Sequence, residues 1–405
     1  MDSRQVQNEY DQRQNNGTES FRSQLGPLLF LTWIFFLNFT GRIIFSPLMP
    51  AIEADLGLDH AEAGSLFLLI SIGYFVSLSG SGFLSSRINH RKSIIISAIA
   101  VGAALLGVAS CGGLWSMRIS LLLVGLSAGI YFPSGIATVT SLSHPRHWGK
   151  ALAIHELAPN MGFVAAPLVS EALMLWFSWR GVLAFLGCGS LVAGIAFARL
   201  GKGGDFPGES PSLGSSRALF SRPDFWIMII LFSLGISGTL GVYSMLPLYL
   251  VVGHGMDRHW ANTLVALSRI SGLVMVFLSG LTTDRFGPRR TLSGVFLLSG
   301  LMTVFLGAAS GAWIVIIVFL QPVIAACFFP PGLAVLSSIG PSGIRNVAIS
   351  LTIPIAFILG AGAVPMGIGF MGDAGSFSHG FILAGALIFM GSLLSMRLKQ
   401  SPRRA

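Results

Sequence analysis

Two arginines stand in stretches that otherwise carry no charge. Arg42 lies in LLFLTWIFFLNFTGRIIFSPLMP and Arg269 in WANTLVALSRISGLVMVFLSG. A guanidinium inside an apolar helix costs several kcal/mol unless it pairs, faces water or receives an anion. Its planar fork of donors suits bidentate binding of a carboxylate or phosphate. Glu156 is the one acid clearly inside an apolar run, so it could neutralise one arginine but not both. Either the arginines are structural and acid-paired, or the remaining charge meets an anionic substrate. His155 and Glu156 can titrate when their surroundings shift and are the candidates for proton coupling. The competing reading is a satisfied polar pair that ties helix ends together. Tyr131, Tyr74, Asn160 and Gln321 (beside Pro322) could each hydrogen-bond a substrate oxygen or serve only in packing. Glu171, Asp257 and Asp373 fall near outer helix ends and are read as solvated. The phenylalanines are read as lipid-facing or packing residues, with no site role.

Twelve apolar runs must position these groups. They cover about 27–50, 63–85, 93–112, 118–141, 150–175, 179–199, 225–251, 260–282, 290–309, 312–337, 346–371 and 377–396. Each is near the ~20 residues needed to cross a bilayer core. At ~1.5 Å per residue, Arg42 lies about two-thirds of the way across the first run and Arg269 about nine residues into the eighth. Both depths are near the midplane. Residues 200–224, rich in Gly, Ser and Pro, read as a linker. The expected organisation is a disordered cytoplasmic tail (1–25), a six-helix bundle (26–199), the cytoplasmic linker (200–224), a second six-helix bundle (225–397) and a basic cytoplasmic tail (398–405).

Composition agrees. Of 405 residues, 53% are hydrophobic and 10% charged, and mean hydropathy is +0.76. A soluble domain needs more charge to cover its surface. The lipid bilayer is therefore an expected partner. The net charge of +9 follows from basic loops: with the N-terminus inside, 20 of the 25 Lys and Arg residues fall on the cytoplasmic side. That is the positive-inside pattern, and it implies no nucleic-acid partner. Only Arg118, Arg180 and Arg258 fall outside. The protein is expected in a cell (inner) membrane, multi-pass, with both termini cytoplasmic. Residues 1–25 lack the apolar stretch of a signal peptide, and the Asn16-Gly17-Thr18 sequon lies in that tail. Cys111, Cys188 and Cys327 have no metal or disulfide spacing and read as packing residues. No phosphate loop, catalytic triad or zinc motif appears, so neither an enzyme nor a cofactor is expected.

The halves repeat at an offset of about 198 residues. Gly82-Phe-Leu-Ser-Ser86-Arg87-Ile-Asn-His-Arg91-Lys92 follows run two; Gly280-Leu-Thr-Thr-Asp284-Arg285-Phe-Gly287-Pro-Arg289-Arg290 follows run eight. Tyr131-Phe-Pro133 matches Phe328-Phe-Pro330, and Pro167 matches Pro365. Repeated halves place a binding site near the midplane, between them. Position 42 maps onto Leu240 and Arg269 onto Ser71. Neither arginine is repeated, so architecture alone does not demand them.

The two loops resemble the G-x-L-A-D-R-x-G-R-K/R signature of the major facilitator superfamily. The resemblance implies twelve helices in two bundles, an all-α membrane fold with pseudo-twofold symmetry and alternating access, usually working as a monomer. It also implies that Gly280, Asp284, Arg285, Gly287, Arg289 and Arg290, with Gly82, Arg87 and Arg91, form a latch of the outward-facing state. The first copy departs, with Ser86 for the acid and Asn89 for the glycine. The arginine of the family's span-four proton-antiport signature is replaced by Leu121. Arg42-Ile-Ile-Phe45 through Met49-Pro50 resembles the span-one stretch of the organophosphate:phosphate antiporters, where the arginine meets the anion; anion:cation symporters carry an arginine there too. Ala158-Pro159-Asn160-Met161-Gly162 resembles the antiporters' A-H-N-V-G, with Pro159 in place of the substrate-contacting histidine. Their span-seven arginine is missing from 236–242, and Arg269 stands where they carry a glutamate. The implied substrate is an anion, but not the same one.

The function expected is secondary transport of a small organic anion, a carboxylate, by proton symport or anion exchange, with Arg42 and Arg269 clamping it. The alternatives are a proton-coupled exporter of drugs or metabolites, favoured if Glu156 sits beside an arginine, and a non-transporting sensor or scaffold.

Overall fold

The computed structural model describes residues 21–208, 220–338 and 342–398. Twelve apolar helices long enough to span a membrane run through them. They are α1 (Phe21–Leu56), α2 (His60–Ile88), α3 (His90–Ala109), α4 (Leu114–Leu142), α5 (Pro145–Met174), α6 (Trp179–Leu200), α7 (Pro223–Gly253), α8 (Arg258–Phe286), α9 (Pro288–Ala308), α10 (Ala312–Leu336), α11 (Ala348–Asp373) and α12 (Phe377–Ser395). All twelve expected runs are present. The helix of α1 begins at Phe21, inside the stretch read as tail; residues 1–20, 209–219 and 399–405 of the expected tails and linker lie outside the described residues. The face carrying the α2–α3 and α8–α9 loops is called terminal below, and the opposite face distal.

Local sequence explains the ends. Asp59 and Glu62 form a capping box at the start of α2, satisfying amides that a helix N-terminus leaves free. Between α2 and α3, Asn89 has φ +72° and its side chain accepts from the Lys92 amide. The equivalent Gly287, between α8 and α9, has φ +87°. The signature glycine thus answers a demand for a positive φ, which glycine meets without strain and which Asn89 meets with its side chain bonded to the Lys92 amide.

The start of the linker is docked, not free. The His90 and Arg91 amides donate to Phe206 and Gly204 carbonyls, and the Gly208 amide to that of Ser85. Phe206 packs on His90, and Asp205 lies 3.4 Å from Arg91. The first loop signature lacks its acid at Ser86; an acid from the linker meets its arginine instead.

Several hydrogen bonds and ion pairs join the halves toward the distal face. Pro247 has no amide proton, which frees the Tyr243 carbonyl one turn back; Ser46 of α1 donates to it at 2.7 Å. Asp373 of α11 accepts from the His60 and Ala61 amides at 2.9 Å each. Glu171 of α5 meets α8, with Asn262 Nδ2 at 2.6 Å, His259 Nδ1 at 3.3 Å and Arg258 Nε at 3.5 Å. Glu171 is 5% exposed, which corrects the expectation that it is solvated. The sequence put it at a helix end; the crossing of α8 buries it there. Close backbone approach completes the seal: a Cβ at Gly64 would meet the Pro365 carbonyl oxygen at 2.6 Å. Small residues let membrane helices come this near.

Candidate functional site

Arg42 ends the first stretch of α1, just before a turn at Ile44. It is 8% exposed. Its guanidinium lies 4.1 Å from the Tyr74 ring centroid, 5.2 Å from Phe39 and 5.6 Å from Phe357 of α11. Its Nε has no partner. Arg269 of α8 is 9% exposed. It lies 4.8 Å from both Phe163 of α5 and Tyr243 of α7. Its Nη2 reaches the Thr239 carbonyl at 3.4 Å, and its Nε is also unpartnered. Thr239 sits in a widened π-turn, Ser237–Gly241, a distortion that commonly marks functional helices.

Each arginine therefore rests where aromatic rings from the two halves meet. Tyr74 contacts Phe357 at 4.9 Å, and Phe163 contacts Tyr243 at 5.0 Å. Phe39 and Phe163, 5.1 Å apart, bridge the two sites. The structure thus brings Arg42 and Arg269 to one aromatic cluster between the halves.

The charge balance is the decisive feature. The three distal arginines all have acids: Arg118 with Glu62, Arg180 with Asp55 and Arg258 with Glu171. Among the described residues neither Arg42 nor Arg269 has one. Ring contacts of about 0.5–2 kcal/mol each offset part of the several kcal/mol that a buried charge costs at this depth, but they supply no counter-charge. The site is electrostatically incomplete and complementary to an anion.

Glu156 is not the missing partner. Its Oε1 lies 3.5 Å from His155 Nδ1, so the acid–arginine pairing that would favour an exporter is not formed. His155 is 1% exposed, whereas the Glu156 side chain is 47% exposed. Tyr131 is fully buried inside the first bundle, its hydroxyl 2.8 Å from the Leu31 carbonyl and 3.0 Å from His155 Nε2. Asn160 donates to the Glu156 carbonyl. Gln321 is buried and donates to Gly238 at the π-turn and to Thr303. Tyr131 and Asn160 are thus engaged by protein groups, as is Gln321 Nε2, while Gln321 Oε1 is buried without a partner among the described residues; Tyr74 presents its ring to Arg42. In the second loop signature, Gly287 caps its helix and a Cβ at Gly280 would meet nothing within 4 Å; no ion pair forms there among the described residues. A shallow groove lined in part by Ser77, Ser81, Leu126 and Ser127 lies between α2 and α4 and has no charged residue in its lining.

Sequence reasoning named Tyr74 but missed Phe39, Phe163, Tyr243 and Phe357. Phe39 could have been found, since it is three residues before Arg42 and shares its helix face. Phe163, Tyr243 and Phe357 come from three other helices, and no spacing connects them. Cys188 is exposed rather than packed, while Cys111 and Cys327 are buried and all three are free.

The family model described as Major Facilitator Superfamily matches residues 31–282. The chain is 23% identical over 303 residues to the membrane sensor protein UhpC of Escherichia coli K12, covering 68% of this chain and 69% of that protein. It is 24% identical over 289 residues to the probable nitrate/nitrite transporter NarK2 of Mycobacterium tuberculosis H37Rv, covering 69% and 72%. Among solved structures, a bacterial homologue of the human lysosomal transporter Spinster matches with TM-score 0.80 at 16% identity, over 94% of this chain and 97% of that one.

Proposed function

The chain belongs to the Major Facilitator Superfamily, and from that premise we propose that it carries a small organic anion, a carboxylate, by alternating access. It is a multi-pass membrane transporter and not an enzyme. Arg42 and Arg269, one from each half, clamp the anion. The observation that carries this reading is that, among the described residues, both are buried without an acid while Arg118, Arg180 and Arg258 each have one. Similarity to a protein named as a probable nitrate/nitrite transporter supports the anion class. Binding that draws on both halves favours the state in which they are close, because a ligand shifts an equilibrium only by its differential affinity. Coupling is by proton symport or by anion exchange, and His155 and Glu156 are the residues that would carry the proton in symport. With the basic loops assigned to the cytoplasm, the distal contacts that join the halves lie on the outer side. The second loop signature, from Gly280 to Arg290, engages when the halves close on the cytoplasmic side. A single copy suffices, since both arginines come from one chain.

The test is thermal stabilisation of the purified protein by monocarboxylates, dicarboxylates, organophosphates and inorganic anions, since a ligand bound to the folded state raises stability by mass action. One carboxylate class stabilises the wild type, and Arg42→Gln and Arg269→Gln each weaken its binding at least tenfold. If the variants respond like the wild type, the arginines are structural and the reading falls. Similarity to a protein named as a sensor favours a second reading, in which the anion is bound but not moved. Uptake of the stabilising anion into proteoliposomes separates the two.

A further inference from the structure

His155 is sandwiched in the first bundle with its hydrogen-bonding already decided. Its ring stacks on Phe35 at 4.5 Å and 9°. Tyr131 has one hydroxyl proton, and the Leu31 carbonyl, which can only accept, takes it at 2.8 Å. The hydroxyl oxygen must then accept from His155, so the 3.0 Å contact carries the proton on Nε2. In the neutral ring the other nitrogen has no hydrogen. That nitrogen, Nδ1, is buried without a hydrogen-bond partner and faces Glu156 Oε1 at 3.5 Å. A lone pair and a carboxylate, both acceptors, thus confront each other with nothing between them. One added proton on Nδ1 turns the repulsion into a charge-assisted hydrogen bond.

The pair is also tied to the anion site. The His155 ring stacks on Phe35, Phe35 lies 6.4 Å from Phe39, and the Arg42 guanidinium lies 5.2 Å from the Phe39 ring. Among the described residues, the titratable group in contact with the pair is Tyr131 from α4, and the charged group beyond Phe35 and Phe39 is Arg42 from α1. Without the added proton the pair carries −1; with it the charge is zero. Loss of that negative charge raises the positive potential at Arg42, which favours an anion. By reciprocity, a bound anion favours the proton by the same factor.

We propose that His155 and Glu156 bind one proton, with Tyr131 as the positioning residue that keeps Nδ1 vacant for it, and that this proton and the anion at Arg42 bind cooperatively, which makes the carrier a proton–anion symporter. The proposal rests on the anion site described above and selects symport over exchange. The proton enters on Nδ1, is shared with Glu156 and leaves from the same atoms after the halves have moved; no covalent bond changes.

The experiment titrates the carboxylate that stabilises the wild type most, from about pH 5.5 to about pH 8.5, where an ordinary carboxylate remains ionised. Affinity should rise on the order of fivefold toward acid pH, the low end of measured couplings because Glu156 is partly exposed. Glu156→Gln fixes the pair at the neutral charge, so its affinity should stay at the acid plateau throughout. Tyr131→Phe removes the acceptor of Nε2–H and lets the neutral ring donate from Nδ1 to Glu156 instead. That stabilises the proton-free pair, so the midpoint should move to lower pH while both plateaus stay in place. A merely structural Tyr131 would change stability without moving the midpoint. If no anion binds the wild type, the site reading and this one fail together. If an anion binds with no pH dependence, if Glu156→Gln keeps the dependence, or if Tyr131→Phe leaves the midpoint fixed, the proton site alone is overturned.

Discussion

Replacing Glu171 by glutamine removes one charge from a contact that seals the distal face. The carboxylate is 5% exposed and accepts from Asn262 Nδ2 at 2.6 Å. Arg258 and His259 approach it at 3.5 and 3.3 Å, but their side chains are 34% and 68% exposed, and exposed ion pairs contribute little. The Asn262 bond therefore dominates. A hydrogen bond to a charged acceptor is worth about 1.5–3 kcal/mol and is about twice as strong as a neutral one, so glutamine keeps roughly half of it. The loss is about 1 kcal/mol, which shifts the ratio of distally closed to distally open molecules about fivefold. Spin labels on Ser110 and Ser310, both exposed beside distal loops of opposite halves, read this as a longer-distance population, with the exposed Cys188 replaced beforehand. Asp373→Asn weakens a separate contact, to the His60 and Ala61 amides, and its effect should add to that of Glu171→Gln, as expected for independent sites. An unchanged distance distribution in folded Glu171→Gln protein would refute the idea that this contact holds the distal side shut.

Two further outcomes follow from packing. Gly64→Ala places a methyl against the Pro365 backbone, which cannot yield as a side chain would; the same labels should report a distally open protein, and a wild-type distribution would mean that α2 and α11 need not approach so closely. Tyr243→Phe deletes a fully buried hydroxyl that has no partner while keeping the ring beside Arg269. Ligand-free Tm should rise, consistent with relief of about 1 kcal/mol; a fall would mean that the hydroxyl is satisfied by an internal water.

The loop signatures illustrate how far sequence alone carries. Asn89 was legible only as a departure from glycine; in the fold both residues meet the same demand for a positive φ. Ser86 was legible as a lost acid, and that loss is partly made good by Asp205, 114 residues from Arg91 along the chain.

The twelve spans and their grouping into two halves were determined by the sequence, because a bilayer imposes run length and small-residue composition on each helix separately, without reference to its neighbours. The unusual cost of Arg42 and Arg269 was determined in the same way, since a charge in an apolar run is visible from its own segment. What answers those charges was decided only by the tertiary structure. Rings from α1, α2, α5, α7 and α11 converge on the two guanidinia, and Glu156 turns to His155 rather than to either arginine. Glu171, placed by the sequence at a wet helix end, is buried because α8 crosses it there. Pairing across helices depends on which faces meet, and that is set by packing of the whole bundle rather than by any one stretch of residues.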